Sequence, residues 1–253
     1  MNIVVCVSLA RHPKSGRLML APNDARALAV ATTMCDKPTL VHVGPSGHDW
    51  ALRQYLGLGF PEVHRIEPNG DQDVAGLLAG FIRQRGGCDW VLCGAKAQGQ
   101  DDSGLVPYLV ADALGFGVIE QVMTASVSRD AIEVTQFLPK GQRRTLSRPG
   151  PQLLVVSENA PLTLEYVARR ARSGQVLSAT ATPLPISDTA LAWQQEPAKP
   201  GHRRLTIKSN RSGWDRFSQR MAVTGGGGEV IRDDPNGGCE QVLTLLRSKG
   251  LIR

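Results

Sequence analysis

Short apolar runs alternate with helix-like stretches through the first half of the chain. Continuous, β-branched apolar runs predict buried strands at residues 2–7, 39–43 and 89–93, with a shorter strand at 63–66. Apolar positions with a helical period predict helices at residues 25–34, 49–58 and 71–85. Because strands and helices of these lengths alternate, we expect βαβ units and an α/β fold with a mostly parallel sheet.

Residues 89–115 combine a buried strand, a polar glycine-containing loop and a helix with one apolar stripe. Pro107 belongs in the first turn of that helix, where its missing N–H would be unpaired in any case. The helix is therefore expected to begin near Ser103 or Gly104. Its first amides then point at whatever precedes the helix, which predicts an anion site such as a nucleotide phosphate site.

Three details of the N-terminal part follow from local sequence. Residues 8–16 are polar and are expected to form a loop after the first strand. Asn23 or Asp24 is expected to act as the N-cap of the first helix, and Gly59 is expected to end the second helix at its C′ position.

The pattern changes after residue 115. Strand-like segments at residues 117–127, 131–138 and 142–147 are separated by turn residues and predict a β-meander, and residues 151–156 predict a strand that returns to the sheet. Beyond residue 180 the chain is rich in Pro, Ser and Gln and predicts an extended arm. The terminal helix predicted at residues 240–249 has an apolar face that such an arm cannot bury, so we expect it to lie on a partner. The expected division is an α/β domain over residues 1–186 and an arm over residues 187–253.

Composition narrows the class of protein. The chain has 253 residues, 42% hydrophobic and 21% charged, and no run approaches the ~20 apolar residues of a membrane span. The N-terminus does not resemble a signal peptide, and five scattered cysteines indicate reduced thiols, so a cytoplasmic location is expected. The formal charge is +6, but aromatic residues make up only 5% of the chain, which argues against nucleic-acid binding.

Several polar residues have both a chemical and a structural interpretation. Asp101 and Asp102 could form a catalytic carboxylate pair, but adjacent residues at a helix start are usually caps. Ser103 lacks a Gly-x-Ser-x-Gly elbow and an obvious histidine base, so a cap or a phosphate ligand is favoured over a nucleophile. His42 and His48 have no metal-ligand spacing and are expected to be structural. No catalytic residue and no metal site are predicted.

Three blocks of residues, in this order and spacing, resemble the β subunit of electron transfer flavoproteins. The first is Pro22-Asn23-Asp24 ahead of the first helix. The second is Gly44-Pro45 followed by Leu52-Arg53 and Leu56-Gly57-Leu58-Gly59. The third runs from Gly94-Ala95-Lys96-Ala97-Gln98 through Asp102-Ser103-Gly104 to Leu114-Gly115. The resemblance extends from residue 2 to about residue 186 and, more weakly, into the arm.

The resemblance implies a doubly wound sheet of the adenine-nucleotide-binding, nucleotide-α-hydrolase-like type. It also implies a heterodimer with an α subunit that carries most of the FAD site, and AMP or a second FAD in this subunit. By position, the residues implied to bind the nucleotide are Cys6, Pro22, Asn23, Asp24, Val43, Gly94, Lys96, Gln98, Asp101, Asp102, Ser103, Gly104, Leu105 and Val106. Asp102 suits a cap or a ribose or adenine partner better than a phosphate ligand, because its carboxylate would repel the anion.

The resemblance further implies electron transfer from a flavin-dependent dehydrogenase towards a quinone oxidoreductase and the respiratory chain. Residues 159–175 occupy the place of the family's partner-recognition loop, although the family's Leu-Pro-Asn and lysine-rich runs are absent. The residues expected to dock the partner are Leu164, Tyr166, Arg169, Arg170 and Arg172. The alternative for the arginines is a solvated basic face. These differences predict a dehydrogenase other than the common acyl-CoA type.

Two other functions remain compatible with the predicted fold. An ATP-consuming enzyme of the nucleotide-α-hydrolase type would need a pyrophosphate loop after the first strand, which residues 8–16 lack. A stand-alone nucleotide sensor of the universal-stress type would not need the C-terminal arm. Both are therefore less favoured than the electron-transfer function.

Overall fold

The computed structural model describes residues 2–70, 72–98, 102–128, 131–185 and 234–252. The chain divides into two units, Met1–Trp193 and Gln194–Arg253. The predicted arm between residues 187 and 233 lies outside the described residues, so its extended form and its boundary stay predictions. Within the described ranges, no helix combines the length and the apolar character that crossing a bilayer requires. The cytoplasmic location stays a prediction.

Eleven strands form one large sheet and one small hairpin in the described part of the first unit. In chain order they are β1 (Ile3–Cys6), β2 (Leu9–Arg11), β3 (Leu18–Leu20), β4 (Thr39–Val43), β5 (Glu62–Ile66), β6 (Trp90–Gly94), β7 (Gly117–Ser128), β8 (Ala131–Phe137), β9 (Arg143–Pro149), β10 (Gln152–Val156) and β11 (Gln175–Ala179). The large sheet has the order β11-β5-β4-β1-β6-β10-β7-β8-β9, and β2 pairs with β3 separately.

The large sheet is parallel from β11 through β7 and antiparallel from β7 through β9. The predicted α/β class with a mostly parallel sheet is confirmed. The predicted meander is β7, β8 and β9, and β10 returns to the sheet between β6 and β7 as expected. Starting from β1, the chain first adds β4 and β5 on one side and then β6 on the other. The order of the strands therefore reverses between β1 and β6.

Five described helices of the first unit are α1 (Pro22–Met34), α2 (Asp49–Gly57), α3 (Val74–Gln84), α4 (Val106–Leu114) and α5 (Ala168–Ser173), with 3₁₀ turns at Ser46–His48 and Pro139–Gly141. Residues of α1 and α2 pack with Ile3 and Val5 of β1, whereas residues of α3 and α4 pack with Val4 and Cys6. Because successive side chains of a strand point to opposite faces, helices cover both faces of the sheet. In the second unit the described element is α6 (Pro235–Ser248).

The starts of α4 and α1 differ from those predicted. Helix α4 begins at Val106 instead of near Ser103 or Gly104, since Gly104 has φ +69°, outside the helical region. Helix α1 begins at Pro22 with Ala21 at the N-cap position, and no side chain caps it. Proline tolerates the first helical position, so it moves the start ahead of the two polar residues that were expected to cap it.

Other departures concern short segments. The polar stretch expected to be a loop contains β2 and, together with β3, forms a hairpin. Helix α3 begins at Val74 rather than at residue 71, with Asp73 as N-cap accepting from the Gly76 amide. Strand β11 was not predicted, because it is a five-residue edge strand with no fully buried position. Gly59, with φ +115°, follows the end of α2 as predicted.

Candidate functional site

A cleft lies at the carboxyl ends of β1, β4 and β6, beside the point where the strand order reverses. Ligands bind at such switch points in open α/β sheets. The cleft is lined by Cys6, Val7, Ser8, Asp24, His42, Val43, Val74, Leu78, Cys93, Gly94, Lys96, Ala97, Ser103, Gly104, Val106 and Pro107. One wall is apolar, from α3 and the start of α4, and polar groups converge from the loops after β1 and β6. This combination suits a ligand with a flat ring and an anionic group.

Asp24 ties the loops after β1 and β6 together. Its Oδ2 accepts hydrogen bonds from the Ser8 amide at 2.7 Å and the Ser8 hydroxyl at 2.6 Å, and its Oδ1 accepts from the Gly94 amide at 3.2 Å. Burial raises the pKa of this carboxyl to about 6, although the hydrogen bonds from Ser8 and Gly94 favour the ionised form. Asp24 therefore fixes the two loops relative to each other and so determines the shape of the cleft.

Tyr55 supports the same corner from helix α2. Its hydroxyl donates to the Ser8 carbonyl at 2.6 Å and accepts from the Ala21 amide at 2.9 Å. The side chain is fully buried, and burial raises its pKa well above the ordinary value, so the phenol stays protonated. The end of β1 and the start of α1 are thus held by one side chain from a distant helix.

Two glycines allow the close approach of the backbone around the cleft. A Cβ at Gly94 would overlap Asp24 and lie 2.9 Å from the Cβ of Asn23. Gly104 has φ +69°, and a Cβ there would lie 3.0 Å from the Ala95 carbonyl oxygen. A side chain at either position would therefore push apart the walls of the cleft.

Lys96 supplies positive charge next to the start of α4. Its Nζ lies 3.7 Å from an Asp102 carboxylate oxygen and 3.7 Å from a Glu158 carboxylate oxygen, all three side chains being partly exposed. The cation, the glycine at position 104 and the positive N-terminal end of α4 form a cradle that fits a phosphate, while the apolar wall fits a base. The residues present therefore fit an adenine nucleotide, with the two carboxylates as local competitors for the lysine.

His42 and His48 form a pair at the β4 side of the cleft. The Nδ1 of His42 lies 2.8 Å from the Val7 carbonyl oxygen, which requires a proton on that nitrogen. Its Nε2 lies 2.9 Å from the Nδ1 of His48, so in a neutral His42 this unprotonated nitrogen accepts a hydrogen bond from the N–H of His48. Burial lowers the pKa of His42 to about 4, which keeps the ring neutral near pH 7.

The structure brings together most of the residues implied by the resemblance. Those lining the cleft are Cys6, Asp24, Val43, Gly94, Lys96, Ser103, Gly104 and Val106. The backbone amide of Asn23 donates to Gln98 Oε1 at 3.2 Å at the edge of the site. Leu105 is exposed, and Asp101 lies outside the described residues. The expected role of Asp102 as a cap is not seen: its φ is +54° and its carboxylate faces Lys96. Pro22, the first residue of α1, does not line the cleft.

Some cleft residues were missed from the sequence. His42, Ser8 and the α3 residues Val74 and Leu78 line the cleft but were not predicted to. His42 immediately precedes Val43 at the carboxyl end of a predicted strand, and this position could have indicated that it lines the cleft. Nothing local in the sequence places the start of α3 beside the cleft.

The predicted docking residues lie on a segment that packs on α2. Leu164 is half-buried, while Tyr166 is 55% exposed and Arg169, Arg170 and Arg172 of α5 are exposed. The interpretation of the arginines as a basic face and their interpretation as a docking surface both agree with this exposure.

Comparison with known proteins identifies the family of the chain. Residues 11–184 match the family model described as the electron transfer flavoprotein domain. The chain is 35% identical, over a 259-residue alignment, to the electron transfer flavoprotein subunit beta of Chromohalobacter salexigens, and the alignment covers 100% of this chain and 96% of that protein. The chain therefore belongs to the electron transfer flavoprotein family, as a β subunit.

Proposed function

We propose that the cleft binds AMP, or a second FAD, and that the chain forms a heterodimer with an α subunit that carries the main FAD. A β subunit of this family is an electron transfer subunit and not a catalytic enzyme, so the prediction that the chain is not an enzyme is confirmed by its family. The flavin supplies the redox chemistry when it is bound.

The observation that carries this proposal is the cleft at the switch point of the sheet. Lys96, Gly104 and the N-terminal end of α4 offer a phosphate cradle, and Val43, Val74 and Leu78 offer an apolar wall. The protein's own residues bind and orient the nucleotide, and Asp24 and Tyr55 keep the loops in place. We assign the nucleotide a structural role in this subunit.

The proposed electron path runs from a flavin-dependent dehydrogenase, through the FAD of the heterodimer, to a quinone oxidoreductase and the respiratory chain. The half-buried Leu164 and the exposed residues Tyr166, Arg169, Arg170 and Arg172 are proposed to contact the dehydrogenase. Exposed aromatic and arginine side chains are enriched where proteins recognise one another, which supports the assignment.

The ATP-consuming alternative is not favoured. It requires a pyrophosphate loop directly after β1, and there the Ser8 amide and hydroxyl are both bound to Asp24 while β2 begins at Leu9. The stand-alone sensor alternative leaves the apolar residues of α6 without a role.

Co-expression with the α subunit tests the proposal directly. The purified complex is expected to show a flavin absorption spectrum. On denaturation it should release one FAD per heterodimer and, in addition, either AMP or a second FAD. A colourless chain that purifies alone and releases no nucleotide would refute the proposal.

A further inference from the structure

The segment proposed to dock the dehydrogenase rests on one face of α2. The amide of Val167 donates to the Gly57 carbonyl at 2.8 Å, and the Gln175 amide donates to the Pro61 carbonyl at 2.9 Å. Gly174 packs against Leu56, since a Cβ there would lie 2.9 Å from the Cβ of Leu56. The segment is thus held at both ends of α5 by the C-terminal part of α2 and the loop that follows.

Arg53 holds the C-terminal end of α5. Its Nη1 lies within hydrogen-bonding distance of three carbonyl oxygens, those of Ala171 at 3.2 Å, Arg172 at 3.4 Å and Gly174 at 3.3 Å. These carbonyls lie at the negative end of a short helix, where a cation is stabilising. A six-residue helix is too short to be stable alone, so its orientation depends on such contacts.

Gly57 holds the aromatic side chain of the segment. The ring of Tyr166 lies against Gly57 so closely that a Cβ at position 57 would overlap it. The same tyrosine keeps 55% of its surface exposed. Because Gly57 has no side chain, one part of the Tyr166 ring packs against its backbone, and the other part of the ring faces outward.

The outward surface of residues 161–174 combines apolar and positively charged side chains. Leu162 and Tyr166 are about half exposed, and the three arginines of α5 are exposed beside them. Glu165 is the acidic residue of the segment between positions 161 and 174, so positive charge predominates there. A surface of this kind is complementary to an acidic rim around an apolar pocket.

We infer that Arg53 and Gly57 are positioning residues that set the orientation of residues 161–174, so that Tyr166 and the α5 arginines face a protein partner with an acidic rim around an apolar pocket. The inference rests on the proposed docking function of this segment. It adds a role for the block Leu52-Arg53 to Leu56-Gly57, which lies outside the docking segment and away from the nucleotide cleft.

Limited trypsin digestion of the complex with the α subunit tests the positioning role. Arg53→Met is expected to raise the rate of cleavage after Arg169, Arg170 and Arg172 roughly tenfold, which corresponds to the loss of about one net hydrogen bond from the anchored state. Arg53→Lys should restore most of the protection, because an ammonium group can donate to the same carbonyls. Arg83→Met is the matched control, since Arg83 donates to the Ala113 carbonyl at 3.0 Å on another helix.

Gly57→Ala supplies a second test without a change of charge. Alanine would displace the Tyr166 ring, so cleavage in α5 should again accelerate, whereas Gly47→Ala should not change it because open space surrounds Gly47. Cleavage rates within twofold of the wild type in both Arg53→Met and Gly57→Ala would overturn the inference. Flavin and nucleotide contents, measured on the same samples, report separately on the proposed function.

The acidic character of the partner is tested with fluorescein-labelled poly-L-glutamate as the probe. The double variant Arg169→Gln and Arg172→Gln is expected to weaken binding at least roughly threefold at low salt. The charge-matched control is Lys14→Gln with Arg17→Gln, on the exposed turn between β2 and β3. Equal loss of binding in the two double variants would overturn the assignment of an acidic partner to this surface.

Discussion

At the scale of single residues, the close approach at Gly104 is the sharpest feature of the candidate site. Gly104→Ala places a Cβ 3.0 Å from the Ala95 carbonyl oxygen in a backbone conformation that costs about 1–2 kcal/mol for a residue with a side chain. The variant is expected to lose most of its nucleotide, measured by chromatography of the denatured complex. Gly16→Ala is a matched control, because Gly16 has nearly the same φ, +68°, with no atom within 4 Å of the added Cβ. Equal nucleotide contents in the two variants would contradict the placement of the phosphate.

His42 and Asp24 make opposite contributions to the pH dependence of stability. The pKa of His42 is lowered from 6.5 to about 4, so only the unfolded chain binds a proton between these values, and stability falls as the pH falls from 6.5 to 4 by about 3 kcal/mol. The pKa of Asp24 is raised from 3.8 to about 6, so the folded chain binds the proton first, and stability rises as the pH falls from 6 to 3.8 by about 3 kcal/mol.

The two contributions nearly cancel between pH 4 and pH 6 in the wild type. His42→Gln removes one of them, so this variant should gain stability relative to the wild type by up to about 3 kcal/mol on moving from pH 7.5 to pH 4.5. Urea unfolding at both pH values measures the difference. A difference between the two proteins that is independent of pH would show that His42 is not held neutral by burial.

At the scale of elements, helix α3 contacts the chain that follows β11. The Leu184 amide donates to the Gly76 carbonyl at 3.0 Å, and a Cβ at Gly80 would overlap the Thr182 carbonyl oxygen. Gly76 and Gly80 are one helical turn apart, and the missing side chain at Gly80 leaves a shallow groove in which residues 182–184 lie. The glycines of α3 therefore determine where the chain lies as it leaves the sheet.

Gly80→Ala tests this groove. Alanine normally favours a helix over glycine by about 1 kcal/mol, but here the displaced backbone should lower the free energy of unfolding by about 1–3 kcal/mol. Hydrogen exchange should show faster exchange at the Leu184 amide. Gly47→Ala, in open space, is the control. A Gly80→Ala variant that is more stable than the wild type would mean that residues 182–184 do not pack on α3.

At the scale of the whole molecule, the exposed apolar face of α6 supports the proposed heterodimer. Val242 is 55% exposed and Leu245 is 58% exposed, within a helix of 14 residues that has no buried position. An amphipathic helix of this kind needs another surface to cover its apolar face. We expect that surface to belong to the α subunit.

Leu245→Asp is expected to reduce co-purification with a tagged α subunit at least roughly tenfold, because a charge would be buried in the interface. Thr244→Asp introduces the same charge on the side of the helix opposite the centre of the apolar face and should leave co-purification unchanged. Equal recovery of both variants with the α subunit would place α6 outside the interface.

The sequence by itself determined the classes of the main elements, their order and the loops that carry the site. Apolar runs and helical periods depend on neighbours a few residues apart, and the helix stop at Gly59 follows from local backbone freedom. The resemblance implied nucleotide-binding residues at the ends of β1, β4 and β6, and the carboxyl ends of parallel strands lie at one edge of a sheet. These statements need no knowledge of the tertiary structure.

The tertiary structure decided which side chains hold the loops and the proposed docking segment in place. Asp24 binds the amide of Gly94, 70 positions away, and Arg53 binds carbonyls about 120 positions away, so neither role is visible in a local pattern. Strand β11 exists because β5 offers it a partner, and α4 starts at Val106 because Gly104 adopts a left-handed conformation beside Ala95. Pairings over such distances depend on how the sheet and helices pack, which is why only the folded chain reveals them.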